Sequence, residues 1–101
     1  AFRQIDILYE LAFFCMDLDA EGFEELSDHF IKAYRKLYPE VLMESSDTVL
    51  LLYYKLYRAN VRAKVTVLKV EQADNNQERQ TFIKEAEKYL DLMQGYLTKL
   101  S

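Results

Sequence analysis

Residues 48–72, TVLLLYYKLYRANVRAKVTVLKVEQ, decide the fold. The end of this stretch, VTVLKV (65–70), is β-branched and alternating, a pattern that alone would suit a strand. Taken whole, the stretch reads differently. Leu50, Tyr53, Tyr54, Tyr57, Val61 and Val65 recur at helical spacing, as do Val49, Leu52, Leu56, Ala59, Ala63, Val67 and Val70. Between them runs a polar stripe of Lys55, Arg58, Arg62 and Lys69. Periodicity that continues unbroken from residue 48 predicts one long, unusually apolar helix over about 48–72.

The flanking segments follow the same period. Downstream, EQADNNQERQ (71–80) has almost no apolar residue and reads as a connection. A fourth helix is predicted over about 77–100, with Phe82 or Ile83, Ala86, Tyr89, Leu90, Met93, Tyr96, Leu97 and Leu100 on one face. Gly95 inside it costs roughly 1 kcal/mol against alanine. Upstream, a first helix is predicted over about 3–21, with Gly22 as a left-handed stop just past its end. Its apolar positions form two overlapping faces, so most of its sides should be covered. A second helix spans about 23–38, with Phe23, Leu26, Phe30, Ala33, Tyr34 and Leu37 as its apolar stripe, and ends before Pro39. EVLMESS (40–46) reads as a short turn, after which Ser46 or Asp47 can cap the long helix. The expected architecture is an all-α bundle of four main helices in a single domain, residues 1–101.

Composition agrees. Half of the 101 residues are hydrophobic, with eight Tyr and six Phe, which argues against intrinsic disorder. Two glycines and one proline are too few for a many-stranded β fold. The net charge of −4 argues against nucleic acid or an anionic membrane surface as a partner, since both demand a basic footprint. The single cysteine, Cys15, excludes an intrachain disulfide and suits a reducing, cytoplasmic setting. It sits in LAFFCM (11–16), an apolar run of six residues, where a small buried hydrophobe is the simplest role. No run approaches the roughly 20 apolar residues of a membrane span, and none reads as a signal peptide. The sequence opens at Ala1 directly in helical patterning, which suggests a piece of a longer polypeptide.

Charged stripes on two such apolar helices need partners, because desolvating a lone charge costs several kcal/mol. The first helix carries Asp6, Glu10 and Asp17; the third carries Lys55, Arg58, Arg62 and Lys69. The expectation is that Arg58 and Arg62 bind first-helix carboxylates and fix helix register, since the planar guanidinium meets a carboxylate with two parallel bonds. The sharper alternative has one arginine, or Lys64, facing a cleft and receiving an anion. Catalytic constellations are scarce. His29, the only histidine, sits among Glu25, Asp28 and Lys32 on what reads as an exposed face. No cysteine–histidine cluster has metal-ligand spacing, and no glycine-rich phosphate loop exists. Asp17 and Asp19 point to different faces of a helix, which makes them poor partners for acid–base work. The residues alone predict no catalytic, cofactor-binding or metal site.

FRQIDILYELAFFCMDLDAEG (2–22) and YRANVRAKV (57–65) together resemble a bacterial branch of the aminoglycoside phosphotransferase-like, protein-kinase-like family. In that branch the catalytic core is followed by D-x-x-x-D-L-A-F-L-x-M-D-L-x-x-x-G, a helix, and Y-R-A-x-V-R-A-K-V. Asp6, Leu11, Ala12, Phe13, Met16, Asp17, Leu18 and Gly22 match the first element; Tyr57, Arg58, Ala59, Val61, Arg62, Ala63, Lys64 and Val65 match the second. Glu10 stands where the family more often has Asp. The agreement covers roughly residues 2–70, and the tail 71–101 matches only in being amphipathic. The resemblance implies the C-terminal helical subdomain of a phosphotransferase fold, with the nucleotide-binding and catalytic residues upstream of Ala1. ATP and Mg²⁺ are then expected for the parent protein and no cofactor for this chain. Asp6, Glu10, Asp17, Arg58, Arg62 and Lys64 carry over as scaffold or substrate-side positions. The expected role is a non-catalytic lobe that supports the catalytic core and the acceptor cleft, with the N-terminal catalytic lobe as its partner. The alternative is a stand-alone helical interaction module, which would expose apolar surface and form a homodimer.

Overall fold

The computed structural model describes residues 4–39 and 45–101, with side chains described over 7–39 and 47–101. It is all-α: α1 (Gln4–Ala20), α2 (Glu24–Leu37), α3 (Ser45–Glu71) and α4 (Asn76–Leu100). The alternating run 65–70 lies inside α3, so local β preference yields to a helical period sustained over 27 residues. The expected turn at 40–46 lies outside the described residues up to position 44. α3 begins at Ser45, which places Asp47 in its first turn rather than ahead of it.

α1 stops as its glycine dictates. Gly22 has φ +83°, the left-handed region that suits glycine. Phe23 N–H donates to Leu18 O at 2.9 Å and Gly22 N–H to Asp19 O at 3.1 Å, the two bonds of a Schellman motif. The resulting sharp turn lays α2 back against α1. That contact uses Ser27, Phe30, Ile31 and Tyr34 rather than the whole predicted stripe. Phe23, Leu26, Ala33 and Leu37 are exposed. Phe14 of α1 stacks on Phe30 at a 4.5 Å centroid separation, and Phe30 on Tyr34 at 5.1 Å.

The predicted connection 71–80 is shorter in the structure. Only residues 72–75 leave the helices, because Asn75 caps α4: its Oδ1 accepts from Glu78 N–H at 2.8 Å. α3 and α4 then return alongside each other as an antiparallel hairpin. Leu52, Leu56, Ala59 and Ala63 line its seam from α3, with steps of four and three residues. Ala59 and Ala63 are small and buried, so α4 brings the large Tyr89 and Tyr96 against them. α1 lies across this hairpin, with Leu8, Leu11, Ala12, Cys15, Met16 and Ala20 buried. The core thus has two parts: one among α1, α2 and the start of α3, the other between α1, α3 and α4.

Candidate functional site

The C-terminal end of α1 is electrostatically awkward. Asp17, Asp19 and Glu21 crowd its last turn and the residue beyond, with no basic residue there, although a helix C-terminus favours cations. The other helices supply the missing charge. Lys55 of α3 lies 2.9 Å from Asp19, Arg58 of α3 lies 3.6 Å from Asp17, and Lys88 of α4 lies 3.7 Å from Glu21. Only the first is a tight, buried pair, with side chains 9 % and 8 % exposed. The Arg58–Asp17 contact is too long for a hydrogen bond, and Asp17 is largely open to solvent.

Tyr96 completes the buried group. Its hydroxyl donates to the same Asp19 oxygen, Oδ2, at 2.6 Å, while Lys55 Nζ lies 5.4 Å from the Tyr96 ring centroid. One carboxylate oxygen therefore ties α1 to both α3 and α4. Burial, reinforced by the bond to Asp19, pushes the Tyr96 phenol far above its ordinary range. Nearby, burial also pushes the Cys15 thiol up, and its Sγ points to the carbonyl oxygen of Ser27 at 3.9 Å. A raised pKa keeps the thiol protonated and unreactive.

The tie is one end of a ladder. On α3 three cations stand seven residues apart, and each lies over an aromatic ring of α4. Lys55 meets Tyr96, Arg62 meets Tyr89 at 5.6 Å, and Lys69 meets Phe82 at 5.8 Å. The matching step of seven on the antiparallel partner fixes the register of the hairpin. Arg58 belongs to a neighbouring row and lies 4.9 Å from the Phe13 ring centroid of α1. The two arginines of the Y-R-A-x-V-R-A-K-V segment thus end on rings of different helices, and its two alanines form the seam.

The structure distributes the sequence-predicted positions unevenly. Arg58 and Asp17 approach each other. Arg62 turns to Tyr89 instead of a first-helix carboxylate, because its place on α3 faces α4. Glu10 is exposed, and Lys64 is exposed on the opposite flank of α3. The Asp6 side chain lies outside the described residues. His29 is exposed, as its charged neighbours implied.

Sequence reasoning missed Asp19, Lys55 and Tyr96 as a unit, although a signal for two of them existed. Lys55 interrupts the apolar run LLLYYKLY (50–57), and Asp19 continues the buried row Leu8, Ala12, Cys15. Two opposite charges set in apolar surroundings are each other's natural partners.

Above the tie opens a groove of about 590 Å³. Asp19, Lys55 and Tyr96 form its floor, and Gly95 keeps one side open. Its rim alternates in sign: Glu24, Asp28, Glu87 and Asp91 against Lys84, Lys88 and Lys99. Among the described residues no group of three or more His, Cys, Asp or Glu is placed to hold a metal ion. Among them, too, no helix is long and apolar enough to cross a membrane. Comparison of the chain with protein-family models, with curated proteins and with solved structures found no match, so the site stands on its own geometry.

Proposed function

We propose that the chain is the helical lobe of an aminoglycoside-phosphotransferase-like protein, a brace for its catalytic core and one wall of its acceptor cleft. The observation that carries this reading is where the residues of the two resembling segments are spent. Asp17 approaches Arg58, Arg58 lies on Phe13, Arg62 lies on Tyr89, and Ala59 and Ala63 seat α4. Each is used between helices, which is what a rigid support needs. The Asp19–Lys55–Tyr96 tie serves the same end. A buried pair is weak evidence of stability, but it fixes how helices rotate against one another.

The groove over the tie is the surface for an acceptor. Its four rim carboxylates offer points of attachment to a cationic group, and the related kinases place cationic acceptors against acidic residues of this lobe. Phosphate transfer itself is assigned to residues ahead of this chain. Two experiments test the proposal. The coding sequence upstream of Ala1 should encode an H-x-D element followed by an aspartate; a frame without them removes the kinase assignment. Calorimetric titration of the chain with ATP and Mg²⁺ should give no saturable heat. Saturable binding accompanied by hydrolysis would show that the lobe is itself a catalyst.

A further inference from the structure

On the flank of the hairpin away from the ladder, two shallow hollows adjoin. One, of about 630 Å³, is lined by Tyr53, Tyr57, Met93 and Leu97 among others; the next is lined by Val67, Leu68 and Leu90. Asn60 belongs to both. Tyr53, Tyr57, Val67, Leu68, Leu90 and Leu97 each expose between 48 % and 57 % of their surface. Together these side chains offer on the order of 600 Å² per chain, at the top of the range usual for a monomer's largest patch and about three-quarters of the ~800 Å² per partner of a standard interface. Among the described residues, Lys64 is the one charged residue lining either hollow, in a chain that is 30 % charged.

We infer that this face is a homodimer interface, occupied by the same face of a second copy around a twofold axis near Asn60. Three features favour a second copy over a different partner. The face presents no charge pattern for a charged surface to read, so its complement is another face poor in charge. Its two halves are unlike: an aromatic one lined by Tyr53 and Tyr57, and an aliphatic one lined by Val67, Leu68 and Leu90. A twofold axis at Asn60 runs the two α3 helices antiparallel and sets the aromatic half of each copy against the aliphatic half of the other, the isologous arrangement in which every contact occurs twice. The same axis brings the two Asn60 amides together and sets the Lys64 ammonium beside the partner's Tyr57 ring. The lone charge and the central amide therefore find partners from the symmetry itself. This inference does not depend on the kinase-lobe reading, because the face lies on the flank of the hairpin opposite the groove.

The test is light scattering on the full chain at about 100 µM, a concentration at which an interface of standard area is occupied. The expected mass is twice the 12.0 kDa of one chain. Tyr57→Glu combined with Leu68→Glu should weaken dimerisation at least tenfold while leaving the helical circular dichroism unchanged, since both residues are exposed. In the otherwise unchanged chain, Asn60→Cys should form an intermolecular disulfide on oxidation, and Thr98→Cys, off the face, should not. A monomer at every concentration overturns the inference, whether the face then stays open or takes another molecule. So does a dimer that survives the two glutamates, or one that Asn60→Cys fails to cross-link.

Discussion

The two ends of the α3–α4 ladder use the same element for different purposes. At Lys55 the cation is covered by α1, lies beside a ring and bonds a carboxylate whose second donor is that ring's own hydroxyl. At Lys69 the cation lies over Phe82 with no carboxylate of the described residues within ion-pair distance, and it remains partly open to water. Sequence spacing is identical at both ends; the cover differs. Where α1 lies across the hairpin, the charge had to be paired. Beyond the reach of α1, water does that work, and the cation–aromatic contact is only a modest addition.

The largest expected effect sits at the covered end. Asp19→Ala leaves the Lys55 ammonium buried without a partner, and unfolding by urea should show a loss of about 3–5 kcal/mol. Lys55→Met together with Asp19→Asn should recover most of that loss, because the pair is then removed rather than halved and the amide oxygen still accepts from Tyr96. A double variant as unstable as Asp19→Ala would mean that packing, not the stranded charge, sets the cost.

Next comes Tyr96→Phe, which removes one of two donors to Asp19 and should cost about 1–2 kcal/mol. It should also change the alkaline limb of stability. Tyr96 and Cys15 both hold their protons more tightly when folded than their ordinary values of 10.0 and 9.0 allow in the open chain. The unfolded state therefore releases protons first, and stability should fall as pH rises above about 9. Tyr96→Phe should flatten the part of that fall above pH ~10, the ordinary tyrosine range. Thermal melts across pH 8 to 11 measure it, and an unchanged slope would contradict the account of the tie.

At the open end, Lys69→Met should change stability by less than about 1 kcal/mol. A loss as large as that of Asp19→Ala would erase the distinction between the ends. The smallest effect is a gain. Gly95 meets nothing within 4 Å of where a methyl would sit, so Gly95→Ala should stabilise by roughly 0.5–1 kcal/mol in the same urea titration.

Most of the fold was legible residue by residue. The long helix followed from an apolar period that outlasts the strand-like run 65–70, and the end of α1 followed from Gly22. Pro39 marked the end of α2: the helix stops at Leu37, and Tyr38 N–H still reaches Tyr34 O at 2.8 Å. Less legible was the capping by Asn75, which turns a ten-residue polar stretch into a four-residue connection through one side-chain bond. The site was read only in part. Arg58 and Asp17 do approach each other, at 3.6 Å, without the hydrogen bonds expected of the pair. Arg62 was assigned to the wrong helix, and Asp19 was set aside because it shares no face with Asp17.

Sequence by itself determined the elements, since helical period, stop glycine and caps depend on residues within a turn or two of each other. It also determined that buried charge would need partners, because Lys55 interrupts the apolar run 50–57 and Asp19 follows Leu8, Ala12 and Cys15 at helical spacing. Only the tertiary structure decided which charge meets which. A rotation of one helix by a single residue, about 100°, exchanges one candidate row for the next. That rotation is set by how Ala59 and Ala63 admit Tyr89 and Tyr96, a packing fit between residues far apart in the chain.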